Sequence, residues 1–181
     1  IMKASDGAVW IGSSSDPNGG LTRIQNGRAE VWRPKNGLPH PYVQDLEEMP
    51  DGSVWASTGQ LQQGGAVCFK SSGGRTLIAR VETKKSGLAG EKVRSSGRTQ
   101  DGRLVFGSEN DGMAVWDGFS WQVLTVKDGL PHNEVTAIET DSEGVLWVAT
   151  LNGVLRIDPS NEGSLPRTRK REAQKIDRRR Q

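Results

Sequence analysis

The chain has 181 residues, which is enough for one domain with a buried core. Its 23 glycines and 8 prolines, beside 1 tyrosine, 3 phenylalanines and 6 tryptophans, are typical of an all-β chain with frequent tight turns. The single cysteine excludes an intrachain disulfide and a cysteine-based zinc cluster, and no stretch is long and apolar enough for a membrane-spanning helix.

The formal net charge of +2 combines two regions of opposite sign. Residues 167–181 contain eight Lys/Arg and two Asp/Glu, a net +6, whereas residues 1–166 have a net charge of −4. We therefore predict a folded body over 1–166 and a basic, disordered tail or linker over 167–181. In the less favoured alternative, Arg167–Arg180 binds nucleic acid or an acidic membrane surface by charge neutralisation.

The first repeat unit covers about residues 1–35. Its Asp6-Gly7 pair is a strong hairpin signal because glycine accepts a positive φ, and Trp10 follows on the next predicted strand. The opening IMKAS is too short to show an alternating pattern, so this copy is predicted to lack its first strand. The start at Ile1, close to a strand pattern, is expected of a piece of a longer protein.

The second unit, about 36–85, has room for four short strands. A GLPH motif opens it, an Asp51-Gly52 turn joins its first two strands, and Trp55 lies on the second. The predicted strands are Tyr42–Met49, 53–58, 65–70 and 76–83.

The third and fourth units cover about 86–127 and 128–158. In the third unit Phe106 occupies the region of the strand-b tryptophan, and its first strand is unusually polar, with Ser96 in the slot of Leu46 and Ile138. In the fourth unit the GLPH motif returns and Trp147 follows the turn, but the pattern stops after three strands.

The turn glycines define the period of the repeat. Spacings of 45, 50 and 42 residues separate Gly7, Gly52, Gly102 and Gly144, which is close to the ~40–50-residue period of propeller blades. Sheets of this kind expose both faces, and radial stacking covers those faces. We predict an all-β protein, a β-propeller of four-stranded antiparallel blades with about four partial or complete blades. The side chains predicted to fill the gaps between blades are Trp10, Trp55, Phe106 and Trp147.

Residues 129–158, GLPHNEVTAIETDSEGVLWVATLNGVLRID, resemble the two-component regulator propeller repeat, whose pattern is roughly L-x(4)-V-x-x-I-x-x-D-x-x-G-x-L-W-x-x-T-x-x-G-L-x-x-Y. The second copy matches well, the first and third more loosely, and the resemblance covers Ile1 to about Asp158. It implies a periplasmic or otherwise extracytoplasmic sensor domain of a histidine kinase or hybrid regulator, a class in which many members respond to carbohydrate fragments. Closed rings typically need 4–8 blades. We therefore expect the chain to be part of a larger ring, completed by further blades in cis or by a second protomer.

The residues that could indicate catalysis have structural interpretations. His40 and His132 occupy the same LPH slot in different units, which favours a turn role over a shared metal or acid–base site. Asp141, like the aspartates of the other turns, is expected to bond to the backbone and not to act as a glycosidase carboxylate. We predict no catalytic residue, metal or cofactor, and keep a propeller lyase or glycosidase as an alternative.

The loops between the second and third strands vary in length while the turns between the first and second do not. Length variation on one face of a repeat array often marks the binding side. The function predicted is non-enzymatic ligand sensing, with a carbohydrate as the ligand class, and the alternative is a scaffold for partner proteins. Trp32, Trp116 and Trp121, which lie outside the strand-b slot, are expected to pack between blades. The candidate ligand-binding residues are Asp16, Asn18, Gln60, Gln62, Gln63, Glu109, Asn110 and Asn152.

Overall fold

The computed structural model describes residues 1–15 and 18–160, so Asp16 and the predicted basic tail lie outside the described residues. Fifteen strands form four antiparallel sheets, and within these ranges there is no α-helix. No helix in the described part of the chain has the length and hydropathy needed to cross a membrane. The predicted all-β fold of antiparallel blades is confirmed.

The first two sheets each contain four strands in sequential order. The first is formed by β1 (Met2–Lys3), β2 (Val9–Ser13), β3 (Gly20–Gln25) and β4 (Arg28–Trp32). The second is formed by β5 (Val43–Glu48), β6 (Val54–Gln60), β7 (Gln63–Ser72) and β8 (Arg75–Glu82).

The third sheet again has four strands and the fourth has three. The third is formed by β9 (Val93–Arg98), β10 (Leu104–Ser108), β11 (Met113–Trp116) and β12 (Trp121–Leu124). The fourth is formed by β13 (Val135–Thr140), β14 (Leu146–Thr150) and β15 (Gly153–Ile157).

The structure differs from the sequence prediction in two places. The first sheet does possess a first strand, because Met2 pairs with Trp10 and Lys3 with Val9. The segment around residues 59–64 is not an extended loop, because β6 and β7 continue until Gln60 pairs with Gln63. A two-residue turn closes this hairpin, and Leu61 adopts the left-handed conformation with φ 55°.

The connections between sheets repeat one local structure. Each contains a three-residue 3-10 turn that ends at a left-handed glycine with φ between 103° and 117°. A buried leucine follows each glycine and anchors the chain before the next first strand. These glycine-leucine pairs are Gly37-Leu38, Gly87-Leu88 and Gly129-Leu130.

The hydrophobic core lies between successive sheets, not within one sheet. Three clusters each draw buried side chains from two neighbouring sheets, as stacked blades require. Between the first and second sheets, the Trp10 and Phe69 ring centroids are 5.4 Å apart. Between the second and third sheets, the Trp55 and Phe106 ring centroids are 5.5 Å apart. Trp147 differs, being 38% exposed, because no sheet follows the fourth within the described residues.

Candidate functional site

One end of the sheets gathers the variable loops, and we call it the loop face. It comprises the loops between second and third strands, at residues 14–15 with 18–19, 61–62, 109–112 and 151–152, together with the connections between sheets. Backbone hydrogen bonds tie these two kinds of segment together. The Glu109 N–H donates to the Lys92 carbonyl at 3.4 Å, and the Leu151 N–H donates to the Glu134 carbonyl at 3.1 Å.

A cleft of about 420 Å³ opens on the loop face between the second and third sheets. Its walls come from the β6–β7 turn, from the connection between β8 and β9, and from the loop between β10 and β11. We call it the loop-face cleft. It is lined by Leu61, Gln62, Lys84, Glu91, Lys92, Glu109, Asn110 and Asp111.

The charged side chains of the loop-face cleft form ion pairs between different segments. Lys92 Nζ lies 2.5 Å from Glu109 Oε1, and Lys84 Nζ lies 3.4 Å from Asp111 Oδ1. Arg94 extends this network, since its Nη1 is 3.6 Å from Glu109 Oε1. The cleft therefore offers ammonium, carboxylate and amide groups in alternation, several of them held by a partner.

Glycines bring the walls of the loop-face cleft together. A Cβ added at Gly59 would lie 2.8 Å from Lys92 Cα, and one added at Gly64 would lie 2.8 Å from the Glu91 carbonyl oxygen. Both distances are too short for any side chain, so only glycine lets this hairpin press against the connection. On the other side, a Cβ added at Gly90 would lie 2.7 Å from Asp111 Oδ2, a side-chain atom that can move aside.

The structure separates the predicted binding residues into two groups. Gln62, Glu109 and Asn110 line the loop-face cleft. Gln60 and Gln63 pair with each other directly beside the two-residue turn of the hairpin and do not line the cleft. The rest lie elsewhere: Asn18 in the first sheet's loop, Asn152 in the fourth sheet's loop, and Asp16 outside the described residues. A role in ligand binding stays a prediction for all eight.

Four charged residues of the cleft were missed by the sequence reasoning: Lys84, Glu91, Lys92 and Asp111. Three of them lie on the connection KKSGLAGEK, which reads as a spacer between strand patterns. The order of strands in a blade could have indicated these residues. In an antiparallel blade this connection emerges at the same end as the variable loops, so its polar residues belong with the candidate set.

The polar first strand of the third unit is explained by its neighbours. Ser96 donates to Asp45 Oδ2 from both its backbone N–H, at 2.7 Å, and its hydroxyl, at 3.1 Å. Arg98 Nε lies 3.2 Å from Glu47 Oε1. Burial raises the pKa of Glu47 to about 7, although Arg98 opposes the shift. β9 therefore contacts the second sheet through hydrogen bonds and an ion pair, where the equivalent strands of other units carry hydrophobic side chains.

The histidines and turn aspartates have the structural roles predicted for them. Nδ1 of His40 accepts from the Tyr42 N–H at 3.1 Å, and Nδ1 of His132 accepts from the Glu134 N–H at 2.9 Å. Asp141 Oδ1 accepts from the Val145 N–H at 2.9 Å. The described residues contain no group of three or more His, Cys, Asp or Glu side chains placed to hold a metal ion.

The fold and the repeated turns define a β-propeller built of blade repeats. Residues 129–152 match the family model described as "Two component regulator propeller". The resemblance predicted from the sequence is confirmed for this repeat. No curated protein sequence matches the chain.

Solved structures of bacterial propellers share the fold. The extracellular domain of a protein described as a hybrid two component system from B. thetaiotaomicron is 19% identical with a TM-score of 0.72, over 88% of this chain and 21% of that one. A second B. thetaiotaomicron extracellular domain, of a protein described as a one component system, is 21% identical with a TM-score of 0.61, over 85% and 20%. Virginiamycin B lyase from Staphylococcus aureus is 17% identical with a TM-score of 0.58, over 88% and 52%. The chain thus spans about a fifth of the length of the first two.

Proposed function

We propose that this chain is a non-enzymatic, ligand-sensing segment of a two-component signalling protein, located outside the cytoplasm. The two-component regulator propeller repeat at 129–152 and the shared fold with extracellular domains of such systems support this assignment. Because the chain spans about a fifth of those proteins, further blades in cis or from a second protomer complete the ring in this proposal.

The loop-face cleft is the proposed ligand site, and a carbohydrate is the proposed ligand. The observation that carries the proposal is the convergence of Gln62, Lys84, Glu109 and Asn110 from three separate segments around one space of about 420 Å³. Amide, ammonium and carboxylate groups donate to and accept from hydroxyls, and sugars present many hydroxyls within a small volume. Ion pairs already fix Lys92 and Glu109, so the wall is ordered before the ligand arrives.

A calorimetric screen of neutral and acidic oligosaccharides against the intact chain tests this proposal. Asn110→Ala and Gln62→Ala are expected to weaken binding of the best ligand about tenfold each, since each removes hydrogen bonds inside the cleft. Asn152→Ala is the matched control, because Asn152 is an exposed amide on the loop face but does not line the cleft. Equal losses in all three variants would overturn the cleft assignment.

One observation favours the scaffold alternative. Leu61 and Leu151, at the tips of two loops, are 78% and 61% exposed on the same face. Exposed apolar side chains on a binding face suit contact with a partner protein. If no carbohydrate binds, the ligand proposal fails, and Leu61→Ser should then reduce capture of the partner protein.

A further inference from the structure

The side chain opposite the tryptophan of the second strand differs between sheets. In the first sheet Arg23 pairs with Trp10 and in the fourth Arg156 pairs with Trp147. Each guanidinium lies over its indole ring, with the Cζ-to-centroid distance 5.7 Å in the first case and 5.5 Å in the second. In the second sheet the residue that pairs with Trp55 is Cys68.

A cavity lies beside Cys68, the small side chain that takes the place of the arginine. A cleft of about 610 Å³ lies between the second and third sheets, on the side of the first turns and away from the loop face. We call it the tryptophan cleft. It is lined by Met49, Pro50, Asp51, Ser53, Trp55, Cys68, Lys70, Ala79, Arg80, Gly102, Leu104, Trp116 and Trp121. An arginine at position 68, placed as in the first and fourth sheets, would lie over the Trp55 ring that lines this space.

A β-bulge holds the nearest arginine at the rim of the tryptophan cleft. The register of β7 and β8 shifts at Ala79, between the pairs Cys68–Arg80 and Phe69–Ile78. Arg80 then places its Cζ 4.4 Å from the Trp116 centroid and forms an ion pair with Glu82. The Arg80 guanidinium is therefore held over Trp116 and not over Trp55.

The far wall of the tryptophan cleft is fixed by a buried carboxylate. Glu82 is 2% exposed, and its Oε2 accepts a hydrogen bond from Trp121 Nε1 at 3.1 Å. The Trp116 and Trp121 centroids are 5.2 Å apart. One carboxylate thus orients both the cation that covers Trp116 and the indole beside it, which keeps the aromatic wall ordered without a ligand.

The accessible charge at the rim is positive. Lys70 and Arg80 have side chains 58% and 44% exposed, while Glu82 is hidden behind Arg80 at 3%. Asp51, paired with Lys70 at 3.1 Å, is the exposed acid among the lining residues. Two exposed cations therefore face one exposed acid at the mouth of an apolar space.

We infer that the tryptophan cleft binds a small planar aromatic carboxylate, with its ring against the tryptophan walls and its carboxylate between Lys70 and Arg80. The volume lies within the roughly 300–1,000 Å³ that small-molecule sites occupy. Indole walls favour flat rings at tilted or offset geometry, and an exposed guanidinium pairs well with a carboxylate. This site is separate from the loop-face cleft and does not rest on the function proposed for it.

Titration calorimetry with three probes tests the ligand class. Indole-3-acetate has both the ring and the carboxylate, indole lacks the carboxylate, and cyclohexylacetate lacks the planar ring. Indole-3-acetate is expected to bind about tenfold more tightly than either of the others. Equal affinity for indole would overturn the charge assignment, equal affinity for cyclohexylacetate would overturn the aromatic one, and no binding of any probe would overturn the site.

Three variants and a control test the location. Cys68→Arg restores the arginine of the other sheets and should abolish binding, and Trp116→Ala should weaken it about tenfold. Lys70→Met should weaken it about threefold, whereas Lys35→Met, an exposed lysine of the first connection, should not change it. Thermal melts confirm folding of each variant, and Trp116→Ala decides the question if Cys68→Arg does not fold. Unchanged affinity in the folded variants would overturn the assignment.

Discussion

Gly107 on β10 lies against Val135 on β13, so closely that a Cβ added at Gly107 would be 2.5 Å from Val135 Cγ1. The first and second sheets meet in the same way, where a Cβ at Gly12 on β2 would lie 2.6 Å from Val43 Cγ1. A glycine on the second strand thus receives the valine that begins the next sheet. These contacts set how closely neighbouring blades approach.

The first prediction concerns this contact. Gly107→Ala is expected to lower the free energy of unfolding by about 1–3 kcal/mol, because the new methyl group overlaps Val135 Cγ1 and Ser95 Oγ. Urea unfolding followed by tryptophan fluorescence measures the change. The double variant Gly107→Ala/Val135→Ala should lose less than the sum of the two single variants. Strict additivity would show that the two residues are not in steric contact.

The second prediction concerns Glu47. Its pKa is raised to about 7, first by burial and then by repulsion from Asp45, Glu139 and Glu48. Between about pH 4.5 and pH 7 the folded state therefore binds more protons than the unfolded state, and the free energy of unfolding should fall as the pH rises through this window. Glu47→Gln should remove about 1–2 kcal/mol of that fall, a range that allows for solvent screening.

Urea unfolding of both proteins at about pH 5 and about pH 7.5 measures the difference. Glu143→Gln is the matched control, because Glu143 is exposed in a turn. A pH dependence that is the same in the Glu47→Gln variant and in the parent would contradict the role of this carboxyl.

The third prediction concerns Glu82. Glu82→Ala leaves the Trp121 Nε1–H and the Arg80 guanidinium without their acceptor, so it should cost about 2–3 kcal/mol of unfolding free energy. Lys84→Met breaks an exposed pair with Asp111 and should cost no more than about 0.5 kcal/mol. Chemical denaturation under identical conditions compares the two. Similar small losses would mean that the buried carboxylate does not stabilise the fold.

The fourth prediction concerns the Cys68 thiol. Burial raises its pKa, so at about pH 8 the thiolate fraction is smaller than that of an ordinary cysteine. A small non-aromatic thiol reagent such as iodoacetamide should modify the native protein at least about tenfold more slowly than the urea-unfolded chain. Saturating indole-3-acetate should slow the native reaction further, because Cys68 lines the tryptophan cleft. Equal rates in the native and unfolded states would contradict burial of the thiol.

The regular parts of the fold could be predicted because they depend on local patterns. The predicted strand Tyr42–Met49 agrees with β5 (Val43–Glu48) to within one residue at each end, since its ends are marked by the Asp-containing turn and by the preceding connection. β1 could not be predicted, because Met2–Lys3 is too short to show alternation and forms only by pairing with β2. The extended β6–β7 hairpin was hidden by its polar, glycine-containing sequence.

The sites were harder to predict because they depend on pairs of segments distant in sequence. Loop composition identified Gln62, Glu109 and Asn110, but not the lysines opposite them on the connection. The sequence did not reveal that Cys68 replaces arginine opposite Trp55, because the loops between the two strands differ in length. The tryptophan and its partner are 13 residues apart in the first and second sheets but 9 apart in the fourth, so no single offset reveals the position.

The exchange of arginine for cysteine opposite one tryptophan has a consequence for how such arrays diversify. The turn glycines, the anchoring leucines and the glycine–valine contacts do not involve position 68, so an exchange there leaves these repeated contacts in place. A cleft beside the second-strand tryptophan can then be opened or closed in one blade at a time by a single substitution at the paired position. The same exchange is possible in the fourth sheet, where Arg156→Cys would expose the Trp147 ring that the guanidinium now covers.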